Sequence, residues 1–201
     1  MKLRYSPASP FVRKVRLFAA ETGLDSRIEL VATNPWAADT DLPNDNPICK
    51  VPTLIMDSGE ALYDSVVICE YLDSLHGGRK RFPAEGAARW KALRLHALID
   101  GILDAALVCR LESSMRPEPH RWPAWLERHQ ATVERGLDAL EREAGSLSAL
   151  DSIAEISAVC TLGYLDFRFP ANNWRSSRPA LAAWYQLLLG RASVAATAPH
   201  D

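Results

Sequence analysis

Short hydrophobic runs alternate with amphipathic stretches in the first part of the chain. Two apolar runs, residues 3–5 and 28–31, are typical of short strands. Between them, apolar side chains recur at helical spacing over residues 12–19, which predicts a helix. Ser9 and Pro10 are a favoured pair for the N-cap and the first helical position, so we place the start of the helix there.

The next segment predicts a loop, a hairpin and a second helix. Residues 34–47 are rich in Asn, Asp and Pro, so we expect a loop with at most a broken helix. Residues 51–56 and 61–63 predict the two strands of a hairpin, and residues 64–75 have the apolar spacing of a helix. The order βαβαββα, in which the second α is the broken one, predicts a small α/β domain over residues 1–77.

The remaining sequence has helical patterns with no strand signals between them. A polar segment at residues 78–86 is the predicted linker. Four helices are predicted. The first has apolar positions from Trp90 to Val108, the second starts at Pro123, the third runs from Ser152 to Phe169 and the fourth from Pro179 to Gly190. We therefore expect an all-α domain over residues 87–201.

Composition and charge exclude several classes of protein. The chain has 201 residues, of which 48% are hydrophobic and 24% charged, as in a folded globular protein rather than a disordered or membrane-embedded one. A net charge of −2 gives no basic excess, so we expect no nucleic-acid partner. The amino-terminal segment lacks the apolar run of a secretory signal, and no run is long enough to span a bilayer. We expect no membrane association and a cytoplasmic location.

The cysteines and histidines give no metal-binding pattern. The four cysteines lie far apart in the sequence, and the five histidines have no ligand spacing. A chain of this size can build its own core, so we expect reduced thiols and no metal.

Ser9 is the first candidate for chemistry. The start of its helix gathers free N–H groups and the positive end of the helix dipole, which favour an anion such as a thiolate. A serine hydroxyl can donate a hydrogen bond to that sulfur and hold it for attack. The alternative is that Ser9 only caps its own helix.

Two further dipeptides also admit two interpretations. Val51-Pro52 either has a cis peptide bond and offers the main chain of Val51 to an extended peptide, or is an ordinary trans proline at a strand entrance. Asp64-Ser65 either binds an ammonium and a carboxylate or forms a plain helix cap.

Three motifs in this order resemble the cytosolic glutathione S-transferase family, specifically its small bacterial serine-type members. They are SPASPFVRKVRL, NPICKVPTL and YDSVVICEYL, and an all-helical domain follows them as in that family. The resemblance implies an α/β thioredoxin-like N-terminal domain, an all-α C-terminal domain, glutathione as cosubstrate and a homodimer. It also implies conjugation of glutathione to a small hydrophobic electrophile, a detoxification reaction.

The resemblance assigns roles to individual residues. Ser9 matches the catalytic hydroxyl that stabilises the glutathione thiolate. The implied glutathione-binding residues are Phe11, Lys50, Val51, Pro52, Asp64 and Ser65. The expected second-substrate pocket is lined by Leu107, Arg110 and Leu111 from the long helix and by Trp174 from a later loop.

The chain departs from the family pattern at two positions. Cys49 stands where many members have glycine, so either the backbone there is not demanding or some strain is accepted. Glu155 replaces Asp in a capping box that begins at Ser152, which we interpret as tolerated.

Alternative functions remain open on the same scaffold. One is a non-catalytic member that binds glutathione or another protein, and another is a specialised glutathione-dependent isomerase or dehalogenase. Disulfide exchange through position 9 is disfavoured, because an alcohol forms no mixed disulfide.

Overall fold

A four-stranded mixed sheet organises the first part of the computed structural model, which describes residues 1–201. The strands are β1 (Lys2–Tyr5), β2 (Glu29–Ala32), β3 (Thr53–Ile55) and β4 (Ala61–Leu62), in the spatial order β2-β1-β3-β4. β1 pairs with β2 in parallel and with β3 antiparallel, and β3 pairs antiparallel with β4. The parallel pair requires a crossover connection, whereas β3 and β4 form the predicted hairpin.

Two helices accompany the sheet, and the broken second α of the predicted βαβαββα order is reduced to a 3₁₀ turn. Helix α1 (Pro10–Glu21) is the crossover between β1 and β2, and α2 (Ser65–Ser74) follows β4. Between β2 and β3 the chain forms only a 3₁₀ turn at Leu42–Asn44, because this polar, proline-containing loop has no apolar face to bury. The fully buried core side chains here include Leu3, Val15, Phe18, Leu54, Ile68 and Leu72.

The second part of the chain is entirely helical. Its helices are α3 (Gly86–Arg110), α4 (Pro123–Glu143), α5 (Ile153–Arg168) and α6 (Pro179–Leu188). A π-helical turn at Leu111–Met115 continues α3. Every residue of α5 from Ile153 to Leu165 is buried, so this helix is the centre of the helical core. These observations confirm the predicted thioredoxin-like α/β domain followed by an all-α domain.

The boundaries of the compact units differ from those expected at the carboxyl end. One unit comprises residues 1–84 together with 192–201, and the other comprises residues 85–191. Residues 192–201 were expected in the helical domain, and the short helix α7 (Ala192–Ala196) has no clear signal in the sequence. In the structure Val194 is buried and its carbonyl accepts a hydrogen bond from Arg13 Nη2 at 3.2 Å, which joins this segment to α1.

No helix of either unit combines the length and apolar character that crossing a membrane requires.

Candidate functional site

Ser9 caps the first helix and keeps its hydroxyl proton available. Its Oγ accepts a hydrogen bond from the N–H of Val12 at 3.3 Å, and Pro10 occupies the first helical position. A hydroxyl oxygen has two acceptor sites and one donor, so capping leaves the donor for another group. The two interpretations of Ser9 are therefore compatible, because the cap holds Oγ at the positive end of α1.

A buried asparagine organises the loop that carries Val51 and Pro52. Asn46 is fully buried, and its Nδ2 donates to the carbonyl of Lys50 at 3.0 Å and to Thr53 Oγ1 at 2.9 Å. Its Oδ1 accepts from the N–H of Ile48 at 3.1 Å. Because one side chain ties both ends of this loop, the backbone before β3 is held in place.

The main chain of Val51 has no hydrogen-bond partner within the protein. Neither its N–H nor its C=O takes part in the backbone hydrogen bonds of the loop or of β3, and the residue is half-buried. The Val51–Pro52 peptide bond is cis. An unpaired donor and acceptor on one residue match the pairing needs of an extended peptide.

Asp64 and Ser65 lie at the start of α2. Asp64 is the N-cap, and its Oδ1 accepts from the N–H of Val66 at 3.1 Å while the residue stays exposed. Ser65 is the first helical residue and is 3% exposed. Its Oγ accepts a hydrogen bond from Lys14 Nζ at 3.2 Å.

Lys14 connects two of the candidate residues. The side chain is fully buried on α1, and its Nζ lies 5.3 Å from the centre of the Phe11 ring as well as beside Ser65. An ammonium over an aromatic face is stabilised by the ring quadrupole. Phe11 and Ser65 are thus brought together through a residue that the sequence analysis did not single out.

Cys49 adopts the left-handed backbone conformation. Its φ is 50°, which a residue other than glycine adopts at an energetic cost, so strain is accepted at this position. The thiol is half-buried and lies 3.8 Å from the carbonyl oxygen of Pro35. Lys50, the next residue, is exposed.

An ion-pair group lies on β1 where Arg4 pairs with Thr53, the first residue of β3. Arg4 is largely buried and contacts Asp41 Oδ1 at 2.6 Å and Asp45 Oδ2 at 2.8 Å. The hydrogen bond from Arg4 lowers the pKa of the Asp41 carboxyl. This pair fixes the loop between β2 and β3 that leads to Asn46.

The residues expected at the second substrate lie in the helical unit. Leu107 and Arg110 are half-buried near the end of α3, and Leu111 begins the π-helical turn. Burial raises the pKa of Tyr164 on α5, and the positive charges of Arg168 and Arg110 oppose that shift. The positive charge of Arg110 therefore favours the ionised form of the Tyr164 phenol.

Trp174 is 4% exposed, and its indole N–H donates to Asp166 Oδ1 at 2.9 Å. Its ring also packs against Tyr185, with 6.1 Å between ring centres. These contacts anchor the loop after α5.

No group of three or more His, Cys, Asp or Glu side chains is arranged to hold a metal ion. None of the four cysteines forms a disulfide bond. Burial raises the pKa of Cys109, which keeps that thiol protonated at neutral pH.

Sequence reasoning missed two residues that shape the site. Asn46 stands in a polar loop, and its place as the first residue of the NPICKVPTL motif, three residues before Cys49, is the only sequence signal that it belongs to the site. Lys14 lies in the basic run RKVR, and its position four residues before Phe18, on the same face of the helix, is the sign that it faces inward.

Comparison with sequence families gives two matches. The model described as "Glutathione S-transferase, N-terminal domain" matches residues 8–75, which include Ser9, Val51 and Asp64-Ser65. The model described as "Glutathione S-transferase, C-terminal domain" matches residues 123–187. Together they cover more than half of the chain.

Individual proteins match along their whole length. The uncharacterized GST-like protein YibF of Escherichia coli K12 is 35% identical over 99% of this chain and 98% of its own. A glutathione transferase family member from Pseudomonas fluorescens Pf-5, solved with bound glutathione, is 44% identical. It superposes with a TM-score of 0.93 over 100% of this chain and 99% of its own. A family member from the same source with bound S-(propanoic acid)-glutathione is 42% identical, with a TM-score of 0.92 over 100% of both chains.

Proposed function

Because the chain belongs to the glutathione S-transferase family, we propose that it binds reduced glutathione and conjugates it through its sulfur to a small electrophile. The relatives from Pseudomonas fluorescens were solved with glutathione or a glutathione thioether bound, which supports the ligand proposed here.

The observation that carries the proposal is the unpaired main chain of Val51. Glutathione is an extended tripeptide, and its cysteinyl unit has one amide donor and one carbonyl acceptor to pair with such a residue. Pro52 and Lys50 flank that pairing position. Asn46, which is fully buried, holds the carbonyl of Lys50 and so keeps the loop ready for the ligand.

The γ-glutamyl end of the ligand is assigned to the start of α2. Asp64 is exposed and anionic, so it attracts the ammonium group, while Ser65 offers hydroxyl and amide donors to the carboxylate. Phe11 borders this end of the site through Lys14.

Ser9 is assigned to the sulfur. Its hydroxyl donates to the thiolate at the start of α1, which favours loss of the thiol proton to solvent. The thiolate lone pair then forms the S–C bond with the electrophile. The displaced group leaves with its electron pair, or, in an addition, the π electrons move to the neighbouring atom and take up a proton.

The electrophile is proposed to contact Leu107, Arg110 and Leu111. Trp174, which was expected in the same pocket, is only 4% exposed and supports the loop after α5 instead. The thioether bound by the Pseudomonas fluorescens relative carries a carboxylate on its sulfur substituent, and Arg110 is a cation that suits such a group. We extend the proposal to a cytoplasmic homodimer that consumes reactive electrophiles.

A calorimetric titration with reduced glutathione tests the proposal. We expect saturable binding to the wild-type protein and an affinity about tenfold lower for Ser65→Ala, because a hydrogen bond to a charged group is lost. Ser74→Ala is the matched control, since Ser74 lies at the other end of α2, where its hydroxyl donates to the carbonyl of Tyr71. Absence of saturation at millimolar glutathione contradicts the proposal.

Turnover separates the enzyme from a binding protein. A panel of electrophiles that includes haloarenes and α,β-unsaturated acids is assayed with the wild-type protein. Consumption of glutathione supports the transferase, whereas binding without turnover across the panel favours a non-catalytic member of the family.

A further inference from the structure

Lys14 is a buried charged residue that the proposed glutathione chemistry does not require. The side chain is fully buried, and its Nζ donates to Ser65 Oγ at 3.2 Å. Removing an ammonium from water costs free energy unless the surrounding groups compensate for it. The Phe11 ring, 5.3 Å from Nζ, supplies part of that compensation.

The contact with Lys14 fixes which way the Ser65 hydroxyl acts. An ammonium has three donors and no acceptor, so the oxygen of Ser65 must accept from it. The hydroxyl proton is then left to donate to another group. Since Ser65 is only 3% exposed, its side chain has little freedom to change this orientation.

The amide of Ser65 adds a second donor at the same place. Ser65 is the first residue of α2, and its N–H donates no hydrogen bond within the protein. The helix dipole and the Lys14 ammonium both add positive charge behind these donors. An acceptor that meets Ser65 is therefore stabilised most when it is an anion.

We propose that Lys14 is the positioning residue that orients the Ser65 hydroxyl and strengthens its preference for the γ-glutamyl carboxylate already assigned to it. This inference rests on the proposed function. It assigns the carboxylate to Lys14 and Ser65 and leaves the neighbouring ammonium to Asp64, which is exposed. The two groups of opposite charge on the α-carbon of the γ-glutamyl unit are thus bound by separate residues of the protein.

Two truncated ligands separate these contributions. One is 4-aminobutanoyl-cysteinylglycine, which keeps the ammonium and lacks the α-carboxylate. The other is glutaryl-cysteinylglycine, which keeps the carboxylate and lacks the ammonium. The dissociation constants of both and of glutathione are measured by calorimetry for the wild-type protein and for Lys14→Met.

We expect Lys14→Met to weaken glutathione and the glutaryl ligand about tenfold, the scale of one hydrogen bond to a charged group. Binding of the 4-aminobutanoyl ligand should change less than twofold, so the preference for glutathione over it falls. Methionine has similar length and no charge, and Lys14→Gln provides a second neutral variant if the methionine variant does not fold. Lys2→Met removes an exposed lysine of β1 and should leave all three dissociation constants unchanged.

The ratio of the dissociation constants of the three ligands distinguishes a positioning role of Lys14 from a purely structural one. If the variant weakens all three ligands equally, Lys14 supports only the fold and the inference is overturned. Unchanged glutathione binding in both neutral variants overturns it as well, while the proposed function stands. Failure of the wild-type protein to bind glutathione overturns the proposed function and this inference together.

Discussion

Ser9 combines a structural and a chemical task in one hydroxyl group. Its oxygen accepts from the N–H of Val12, and its proton remains to be donated. The cap requires only the oxygen, whereas stabilisation of a thiolate requires the proton. A substitution can therefore separate the two tasks.

Ser9→Ala is expected to raise the pKa of the bound glutathione thiol by about one to two units, because a hydrogen bond to a charged group is lost. The thiolate is the nucleophile, so kcat/KM at neutral pH falls about 10- to 100-fold and recovers as the pH rises. The ultraviolet absorption of the thiolate, titrated in the complex, measures the shift.

Ser9→Asp is the matched control for capping. Aspartate caps a helix as well as serine does, so the stability of α1 is preserved. Its negative charge disfavours a neighbouring thiolate, and the pKa of the bound thiol should rise above that in Ser9→Ala. If the pKa of the bound thiol in both variants equals that in the wild-type complex, Ser9 has no role in the mechanism, while glutathione binding is unaffected.

Cys49 carries backbone strain that glycine would relieve. Its φ of 50° costs about 1–2 kcal/mol for a residue with a Cβ atom, and the greater freedom of glycine in the unfolded chain offsets about 0.5–1 kcal/mol of that. Cys49→Gly should therefore raise the free energy of unfolding by up to about 1 kcal/mol. Chemical denaturation measures it, and Cys49→Ala, which keeps the Cβ atom, should give no gain. Equal stabilisation by alanine and glycine would show that the thiol, not the backbone, was unfavourable.

Helices α3 and α4 pack closely against each other at a glycine. A Cβ atom added to Gly136 would lie 2.4 Å from Ile102 Cγ1, and Ile102 is buried with 1% exposure. That carbon is near the stem of the side chain, so the neighbour cannot simply swing away. The same helices are joined at their surface by a bidentate ion pair between Arg94 and Glu143, at 2.5 and 2.6 Å.

Gly136→Ala is expected to lower the free energy of unfolding by about 1–2 kcal/mol, because overpacking outweighs the gain in helix propensity. Gly101→Ala on α3 is the matched control, since a Cβ atom there meets nothing within 4 Å. It should instead stabilise the protein by about 0.5–1 kcal/mol. Thermal and urea unfolding of the two variants should move in opposite directions, and a parallel change would contradict the packing argument.

The start of α5 illustrates how a local signal survives a change of residue. The capping box forms with Glu155, whose carboxylate accepts from the N–H of Ser152 at 2.7 Å. The longer side chain also accepts from the N–H and Oγ of Ser148, at 3.0 and 2.8 Å. Glutamate in place of aspartate is thus accommodated by an additional partner.

For the whole molecule, most elements were predictable because their signals are local. Proline at position 10 or 123, serine at 152 and the apolar spacing of each helix act within a few residues. The four strands and two of the three predicted helical elements of the first domain, and the four helices of the second, are confirmed by the structure. The loop around Leu42–Asn44 shows that a possible helix reduces to one turn when it has nothing to bury.

The features that sequence did not predict depend on long-range contacts. Lys14 is buried because Ser65, 51 residues away, supplies a partner on α2. Arg13 binds the carbonyl of Val194, 181 residues away, and no local pattern encodes that contact. In a single sequence both basic residues are typical of a solvated helix face, so their burial depends on how the chain folds back.

The return of residues 192–201 to α1 has a consequence for biosynthesis. A ribosome makes β1 and α1 before Val194, whose carbonyl accepts a hydrogen bond from Arg13, because Val194 follows all of residues 85–191. The nascent chain must therefore carry an incompletely covered first helix throughout translation of the helical unit. The contact between Arg13 and Val194 can therefore form only after the intervening helical unit has been synthesised.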